Sequence, residues 1–324
     1  IRRVYHKPSS TLFMRIINSI RTQFMILNNL ILLSNKVNTF IFLIGGEGLL
    51  IPILALKILK KNVVMMLGGG AINVFSIRKD PLYKFMVVLY NINLALVDNI
   101  IVYTTVLIKK LKLFKYRYKV IVAHRHFVDF TKFMIKKRIT ERSNLIGYIG
   151  RLSKEKGVLN LIKAFSIVLR YKGDVQLIIC GKGDLEKEIK KIIRINGMEK
   201  QVKLAGWVPH DEIPRYLNEF KLVILPSFTE TLPNVIVEAM ACGTPVLATP
   251  VGSIPEIIRD YKTGFLLKSN DPKDIADKII ELLNNPTLLE KVSINAYKYA
   301  QKNFSEESVR EIWRKLFLKL NILN

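Results

Sequence analysis

Residues 144–324 alternate short apolar runs with segments whose apolar positions repeat at helical spacing. A short, uninterrupted apolar run is typical of a strand buried on both faces of a sheet. The runs are Leu145–Ile149, Val175–Cys180, Val202–Ala205, Leu222–Leu225, Val246–Ala248 and Phe265–Leu267. Residues with helical spacing between them include Val158, Ile162, Phe165, Val168 and Leu169. This alternation predicts a doubly wound parallel sheet of about six strands.

Residues 1–143 also alternate strand and helix patterns, although less regularly. The predicted strands are Phe40–Ile44, Val63–Leu67, Ile100–Tyr103 and Val120–Ala123. The predicted helices are a basic amphipathic helix over about Leu12–Leu33, then Leu49–Lys60, Pro81–Leu96 and a Lys-rich helix from Thr105. The segment Lys132–Ser143, dense in Lys and Arg, is interpreted as a linker. We therefore predict an α/β protein with two domains, residues 1–143 and 144–324.

The two longest apolar stretches differ in composition from a membrane-spanning helix. A bilayer span needs about 20 apolar residues with few or no charges. Phe40–Leu59 is interrupted by glycines, Pro52 and Lys57, and Met86–Ile108 contains three asparagines and Asp98. The opening sequence IRRVYHKPSS lacks the apolar core of a signal peptide. We expect neither a transmembrane helix nor a secretory leader.

The cysteine content favours a reducing compartment. The only two cysteines, Cys180 and Cys242, are far apart in sequence and lie in apolar surroundings. They provide neither a disulfide framework nor a metal-binding quartet, so a cytoplasmic location is expected.

Charge is unevenly distributed between the two halves. Residues 1–143 contain 24 lysines and arginines against 5 acidic residues, whereas residues 144–324 contain 27 against 21. The basic first half suggests an anionic partner, either a lipid headgroup surface, a phosphorylated acceptor or a nucleic acid. A general bias towards lysine is the alternative explanation, although the nearly balanced second half argues against it. No recognisable nucleic-acid-binding module accompanies the charge, so no nucleic-acid partner is expected.

Two stretches of the second half carry candidate chemistry. The loop after the first strand, GRLSKEKG at residues 150–157, presents the cations Arg151 and Lys156. The stretch from Ser227 to Val246 presents two carboxylates, Glu230 and Glu238, one before and one after a predicted helix N-terminus. Pro233 is placed to start this helix. Cations and a helix N-terminus suit a diphosphate. Carboxylates accept hydrogen bonds from sugar hydroxyls, so the combination predicts a nucleotide-sugar ligand.

These motifs resemble the donor domain of the retaining glycosyltransferases of family 4. The matching sequences are GRLSKEKG (150–157), GKGDL (181–185), VKLAGWVP (202–209), LPSFTETLPNVIVEAMACGTPVLATPVGSIPEII (225–258) and TGFLL (263–267). The resemblance covers the second half closely and the first half in outline. It implies the GT-B fold, in which two Rossmann-like domains with parallel sheets face each other across the active-site cleft. It also implies C-terminal helices that pack back towards the first domain.

The resemblance assigns roles to residues of the second half. Arg151 and Lys156 are expected to hold the donor diphosphate, Glu230 to face the sugar hydroxyls, and Glu238 to accept hydrogen bonds from the ribose. The other donor-binding residues expected are Gly150, Gly181, Val208, Leu232, Pro233, Asn234 and Val235. The alternatives are solvated loop cations for the first pair, and for Glu230 an acidic residue favoured only by the helix dipole. Trp207 is a candidate both for base stacking and for packing.

The first half departs from the family pattern. Where many members have a histidine after a first-domain strand, this chain has Gly68, Gly69 and Gly70, which would either admit a substrate to the backbone amides or form a tight turn. His124 and His126 are candidates for contact with an acceptor phosphate or for interdomain packing. No Asp-x-Asp motif is present, so a metal-independent enzyme without a cofactor is expected.

The family's first strand and its glycine-rich loop have no counterpart in this sequence. The simplest expectation is an N-terminal truncation, with about four strands in the first sheet and about six in the second. An uncovered edge of the first sheet is expected to make the isolated chain prone to aggregation.

The sequence therefore predicts a hexosyltransferase that moves a sugar from a nucleotide-sugar donor to an acceptor. The basic first half favours a lipid-linked or membrane-borne acceptor in cell-envelope glycan synthesis, with the enzyme peripheral at the cytoplasmic face of the membrane. A catalytically inactive nucleotide-sugar-binding protein is the main alternative, and a basic nucleic-acid-binding protein is the second.

Overall fold

The computed structural model describes residues 11–43, 46–68 and 80–322. The chain divides into two compact units, Ile1–His124 with Arg314–Asn324, and Arg125–Trp313. Each unit contains one parallel sheet, which confirms the predicted α/β class. The first unit ends before the predicted boundary at residue 143, and the C-terminal segment belongs to it. Within this unit, the Asn62 side-chain amide donates to the carbonyl oxygen of Leu320 at 3.4 Å.

The first unit contains a sheet of four parallel strands in the order β1-β2-β3-β4. The strands are β1 (Thr39–Leu43), β2 (Asn62–Leu67), β3 (Asn99–Val102) and β4 (Val120–Val122). The helices are α1 (Leu12–Ser34), α2 (Leu50–Ile58), α3 (Tyr83–Leu96) and α4 (Val106–Lys110), with 3-10 turns at Gly46–Gly48 and Phe114–Lys119. The predicted Lys-rich helix is therefore shorter than expected, one α-helical turn followed by a 3-10 segment.

Helix α1 lies where the sequence predicted a helix, but it buries polar residues and exposes apolar ones. Its buried residues are the polar Asn18, Gln23 and Ser34, whereas most of its large apolar side chains are exposed. Gln23 contacts α2, since the backbone N–H of Ile51 donates to Gln23 Oε1 at 3.0 Å. By length and composition, α1 is the one helix in the described ranges that could cross a membrane. The two longest apolar stretches of the sequence lie elsewhere, because the apolar residues of α1 are interrupted by polar ones.

The second unit contains a sheet of six parallel strands in the order β10-β9-β8-β5-β6-β7. The strands are β5 (Leu145–Ile149), β6 (Gln176–Cys180), β7 (Val202–Gly206), β8 (Leu222–Leu225), β9 (Val246–Ala248) and β10 (Phe265–Leu266). The helices are α5 (Val158–Tyr171), α6 (Glu186–Ile195), α7 (Ile213–Glu219), α8 (Asn234–Ala241), α9 (Ile254–Ile257), α10 (Pro272–Leu283), α11 (Pro286–Phe304) and α12 (Glu306–Lys319), which ends within the first unit. The predicted strands agree with these bounds to within a residue.

The six-stranded sheet is covered on both faces. Along β8, Leu222 and Ile224 belong to one apolar core, and Val223 and Leu225 belong to the other. Alternate residues of a strand point to opposite faces, so the two cores lie on the two sides of the sheet. This arrangement explains why the central strands consist of unbroken apolar residues. Polar and charged functional side chains can therefore lie at the strand ends and in the segments that follow them.

The segment interpreted as a linker is part of the second unit. Phe133 and Ile139 are buried in its cores, and Arg142 is almost wholly buried. The Arg142 guanidinium donates to the carbonyl oxygens of Lys137, Leu217, Phe220 and Cys242 and to the Thr244 hydroxyl, at 2.7–3.0 Å. Burial lowers the pKa of Arg142 to about 10, so the group remains charged at neutral pH. The linker interpretation was wrong because a high density of cations does not show which of them are buried.

We expect Arg142→Met to destabilise the protein by about 3 kcal/mol or more, because several buried carbonyl oxygens lose their donor at once. The midpoint of thermal unfolding should fall by roughly 6–12 °C for the second unit. Arg170→Met, at an exposed position of α5, is the matched control and should change the free energy of unfolding by less than about 0.5 kcal/mol. Equal effects of the two variants would contradict the bracing role of Arg142.

Candidate active site

Most of the predicted donor-site residues lie in loops that leave the carboxyl ends of β5, β6, β7 and β8, and Asn234, Val235 and Glu238 lie in the helix that follows β8. The chain passes from β5 to β6 and β7 on one side, and then returns to place β8 on the other side of β5. The strand order therefore reverses between β5 and β8. In open α/β sheets, ligands bind beyond the carboxyl ends of the strands at such a switch point.

A cavity of about 290 Å³ opens beside the ends of β5, β6 and β7. It is lined by Ile149, Gly150, Arg151, Cys180, Gly181, Lys182, Trp207, Val208 and Ile213. Four predicted donor-binding residues, Gly150, Arg151, Gly181 and Val208, therefore share one cavity. Trp207 is exposed at its edge and is not a core residue, which argues against the packing alternative. Lys182, in the GKGDL motif, is a further cation at the cavity that was not among the predicted site residues.

Gly181 allows the loops around the cavity to approach each other. Its φ is +150°, and a Cβ atom at this position would lie 1.8 Å from the carbonyl oxygen of Gly150. Its N–H donates to the Gly206 carbonyl at 2.6 Å. Any other residue would therefore separate the loops after β5 and β6 and change the shape of the cavity.

Lys156 and Glu230 form an ion pair across the switch point. Lys156 Nζ lies 2.6 Å from Glu230 Oε1, and the Ser227 hydroxyl donates to the same oxygen at 2.7 Å. The side chain of Glu230 is only 6% exposed and that of Lys156 is 22% exposed. This geometry argues against a solvated loop cation and against a carboxylate placed only by a helix dipole. Two predicted catalytic residues are therefore brought into direct contact.

Backbone contacts hold the two loops that carry this pair. The N–H of Phe228 donates to the Glu155 carbonyl at 2.8 Å. Gly157, which precedes α5, has a φ of +66°, and a Cβ atom there would lie 1.9 Å from the Pro226 carbonyl oxygen. The glycine that ends the first motif is thus required for the close approach of the two loops.

Arg151 has a looser environment than Lys156. Its side chain is 70% exposed, and its guanidinium lies 3.9 Å from the carboxylate of Glu155. The Ser153 hydroxyl donates to Glu155 at 2.6 Å, and this hydrogen bond lowers the pKa of the Glu155 carboxyl. Arg151 is therefore positioned at the cavity but free to reorient towards a ligand.

Helix α8 begins as the sequence predicted. Pro233 occupies the N-cap position and is buried, and Asn234 is the first helical residue. The loop before it, which contains half-buried Leu232, is held from the other side by Ser253, whose N–H donates to the Thr231 carbonyl at 3.2 Å. The first N–H groups of a helix have no acceptor within the helix, so those of Asn234 and Val235 can donate to other acceptors.

Glu238 lies in the body of α8, and its partner was not predicted. Its side chain is 12% exposed, and its Oε1 lies 3.0 Å from Nε2 of His210. His210 begins a 3-10 turn, His210–Glu212, directly after the loop that carries Trp207 and Val208. In the sequence, only the position of His210 just after a strand-end loop indicates this contact, and a single histidine in such a position is a weak indication of a functional residue.

The candidate residues of the first half do not form a comparable cluster. Gly68 is half-buried directly after β2, whereas Gly69 and Gly70 lie outside the described residues. His124 and His126 are half-buried, and neither lines the cavity. Contact of these residues with an acceptor remains a prediction. No group of three or more His, Cys, Asp and Glu side chains in the described part of the chain could hold a metal ion, and metal independence also remains a prediction.

The sequence profile described as "Glycosyl transferases group 1" matches residues 129–299, which is more than half of the chain. The chain belongs to this family. The match covers every strand of the second sheet and all the residues of the ion pair and the cavity. It begins close to the structural start of the second unit, at Arg125.

Named relatives of this group 1 glycosyltransferase are similar over about half of the chain. The chain is 33% identical over 152 residues to alpha-D-kanosaminyltransferase of Streptomyces kanamyceticus, covering 47% of this chain and 39% of that one. It is 30% identical over 190 residues to poly(ribitol-phosphate) alpha-N-acetylglucosaminyltransferase of Staphylococcus aureus, covering 58% and 38%. The chain thus spans less than half the length of these relatives.

A solved structure is similar over nearly the whole chain. The HepE protein of Anabaena, crystallised with UDP, superposes with a TM-score of 0.76 at 20% identity, covering 94% of this chain and 82% of that one. At this identity the likeness shows the fold alone. The fold is the GT-B class with two Rossmann-like domains, which the motifs predicted.

We expect Lys156→Met to reduce the free energy of unfolding by about 1–3 kcal/mol, because Glu230 then stays buried with Ser227 as its remaining donor. Adding Glu230→Gln should recover part of this loss, giving a coupling energy of about 1 kcal/mol or more in a double-mutant cycle measured by chemical denaturation. Arg151→Met, the exposed control, should lie within about 0.5 kcal/mol of the parent protein. Additive effects of the two substitutions would show that the pair is not formed in solution.

Proposed function

We propose that this chain is a glycosyltransferase that transfers a hexose from a nucleotide-sugar to an acceptor, with retention of anomeric configuration and without a metal ion. The observation that carries the proposal is the Lys156–Glu230 pair at the switch point of the second sheet, beside a cavity that also presents Arg151. Cations and a carboxylate would thereby be within reach of one ligand. The names of the relatives support the reaction class, and the resemblance to family 4 supports retention.

We assign the donor diphosphate to Arg151 and Lys156. When the bond between the sugar and the diphosphate breaks, negative charge develops on the β-phosphate. Cations held beside that position stabilise the transition state more than the ground state. Lys156 would meet the phosphate while remaining close to Glu230, and the exposed Arg151 would turn towards it from the cavity wall. The N-terminus of α8 adds N–H donors to the same region.

We assign the sugar to Glu230 and the nucleoside to Glu238 and the cavity. Glu230 precedes α8 and lies beside the cation assigned to the phosphate, so its carboxylate would accept hydrogen bonds from hydroxyls of the transferred sugar. Glu238 is the fifth residue of α8 and would accept from the ribose hydroxyls. The loops with Gly181 and Val208 would enclose the base, and Trp207 would stack at its edge.

We expect Glu238→Gln to weaken binding of the nucleoside diphosphate by about tenfold, because a charged acceptor for the ribose is lost. Glu230→Gln should leave this affinity within about twofold. It should lower the rate at which a bound nucleotide-sugar is cleaved into sugar and nucleotide. Titration calorimetry with UDP, GDP and ADP, followed by turnover of the corresponding sugar nucleotides, measures both effects. Glu188→Gln, at an exposed position of α6, is the control for loss of a negative charge.

Two outcomes would contradict parts of this proposal. Equal losses of nucleotide affinity in the Glu230 and Glu238 variants would show that the two carboxylates do not have separate roles. Tight binding of a nucleotide-sugar without any turnover would favour the alternative function, a catalytically inactive nucleotide-sugar-binding protein.

We propose that the acceptor is lipid-linked or otherwise borne by the membrane, and that the first unit binds the cytoplasmic surface peripherally. Support comes from the segment after β3, where Lys109, Lys110, Lys112 and Lys115 are exposed beside Phe114 and Tyr118. Cations near an anionic bilayer contribute about 1 kcal/mol each, and exposed aromatic rings favour its interface. The exposed apolar side chains of α1 belong to the same unit.

We expect the protein to sediment with vesicles that contain phosphatidylserine at low salt, and to be released at high salt. The variant Lys109→Gln/Lys110→Gln/Lys112→Gln should bind them at least about tenfold more weakly. The matched control, Lys163→Gln/Lys187→Gln/Lys191→Gln, removes the same charge from exposed positions of the second unit and should bind normally. Binding that is insensitive to salt and to lipid charge would contradict the electrostatic account and would favour α1 as the attachment site.

A further inference from the structure

The carboxylate of Glu238 has two unequal oxygens. Oε1 is 3.0 Å from His210 Nε2, while Oε2 makes no hydrogen bond with the part of the chain that the structure describes. The side chain is 12% exposed, so a small part of it is open to a ligand. A carboxylate can accept several hydrogen bonds, and here one oxygen is committed to the protein and the other is left for a ligand.

His210 is held in place from a second side. Its ring packs against the ring of buried Phe133, with centroids 5.3 Å apart and an interplanar angle of 48°. The backbone on its N-terminal side is the loop that carries Val208 at the cavity. The imidazole is nevertheless 67% exposed, so it contributes little to the apolar core.

We propose that His210 is a positioning residue for recognition of the ribose. Its Nε2–H donates to Oε1 of Glu238 and thereby orients Oε2 to accept a hydrogen bond from the 2′- or 3′-hydroxyl of the nucleotide. The inference rests on the proposed function, which assigns the nucleoside to Glu238 and the neighbouring cavity. It adds a residue that the sequence motifs did not contain, and a reason why this site would distinguish a ribonucleotide from a deoxynucleotide.

The arrangement also couples two parts of nucleotide recognition. Val208 lines the cavity assigned to the base, and His210 follows two residues later on the same loop. A base that fixes this loop also fixes the imidazole, and through it the carboxylate on α8. A competing account is that His210 blocks Glu238 and must be displaced by the ligand. The two accounts predict opposite effects of removing the imidazole.

The test compares ribonucleotides with their deoxy counterparts by titration calorimetry on the whole chain. The ligand is whichever of UDP, GDP and ADP binds the parent protein most tightly, together with its 2′-deoxy and 3′-deoxy forms. His210→Ala should weaken binding of the ribonucleotide by about tenfold and leave binding of at least one deoxy form within about twofold. His210→Gln, whose amide can reach the same oxygen as a donor, should recover most of the affinity.

A control variant separates this role from general changes in the loop. Asp211→Asn removes the surface ion pair between Asp211 and Lys132, 3.1 Å apart, beside His210. It should bind every ligand as the parent does. Thermal unfolding of Asp211→Asn should match that of the parent protein closely, because both side chains of the Lys132–Asp211 pair are largely exposed.

The results that would overturn the inference are distinct. Unchanged or tighter binding of the ribonucleotide by His210→Ala would refute it and favour the blocking account. Equal weakening for the ribonucleotide and both deoxy forms would show a merely structural role. If the parent protein binds none of the three nucleotides, the proposed function itself fails, and the inference with it.

Discussion

The ion pair between Lys156 and Glu230 is the contact on which the arrangement of the second unit depends. It joins the loop after β5 to the loop after β8, the two strands between which the strand order reverses. A carboxylate this deeply buried is tolerated only with a cation and further donors, and Lys156 and Ser227 supply them. The close approach in turn requires Gly157, since a side chain there would meet the Pro226 carbonyl. One electrostatic contact and one glycine therefore keep the candidate catalytic groups together.

The rest of the second unit holds the two loops of this ion pair in place. Both faces of the sheet are covered by apolar cores, so the strand ends that carry the loops are fixed. Arg142 braces one side by satisfying carbonyl groups from α7, from the residue after it and from the end of α8. A guanidinium can do this because it has five donors in a rigid plane. The result is a rigid base under loops that present mobile charges, such as Arg151, to a ligand.

The first unit follows different physical rules. Its sheet has buried central strands, yet α1 turns polar residues inward and apolar residues outward. The inward residues are satisfied by specific hydrogen bonds, and Arg15 pairs with Asp80 at 2.7 Å. Together with the exposed lysines after β3, the outward apolar residues of α1 make the surface of the first unit basic and partly apolar.

The sequence by itself determined the strands of both sheets, the parallel topology of the second, the family, and the loops that carry the site. These features are local, because a buried parallel strand must be continuously apolar and a strand-end loop needs its glycines nearby. Only the tertiary structure decided that Lys156 meets Glu230, 74 residues away, and that His210 meets Glu238, 28 residues away. It also decided that Arg142 is buried in an apparent linker and that α1 exposes its apolar side. The sequence gives the charge and the hydropathy of each side chain. The partner and the burial of that side chain depend on residues that packing brings near it from elsewhere in the chain.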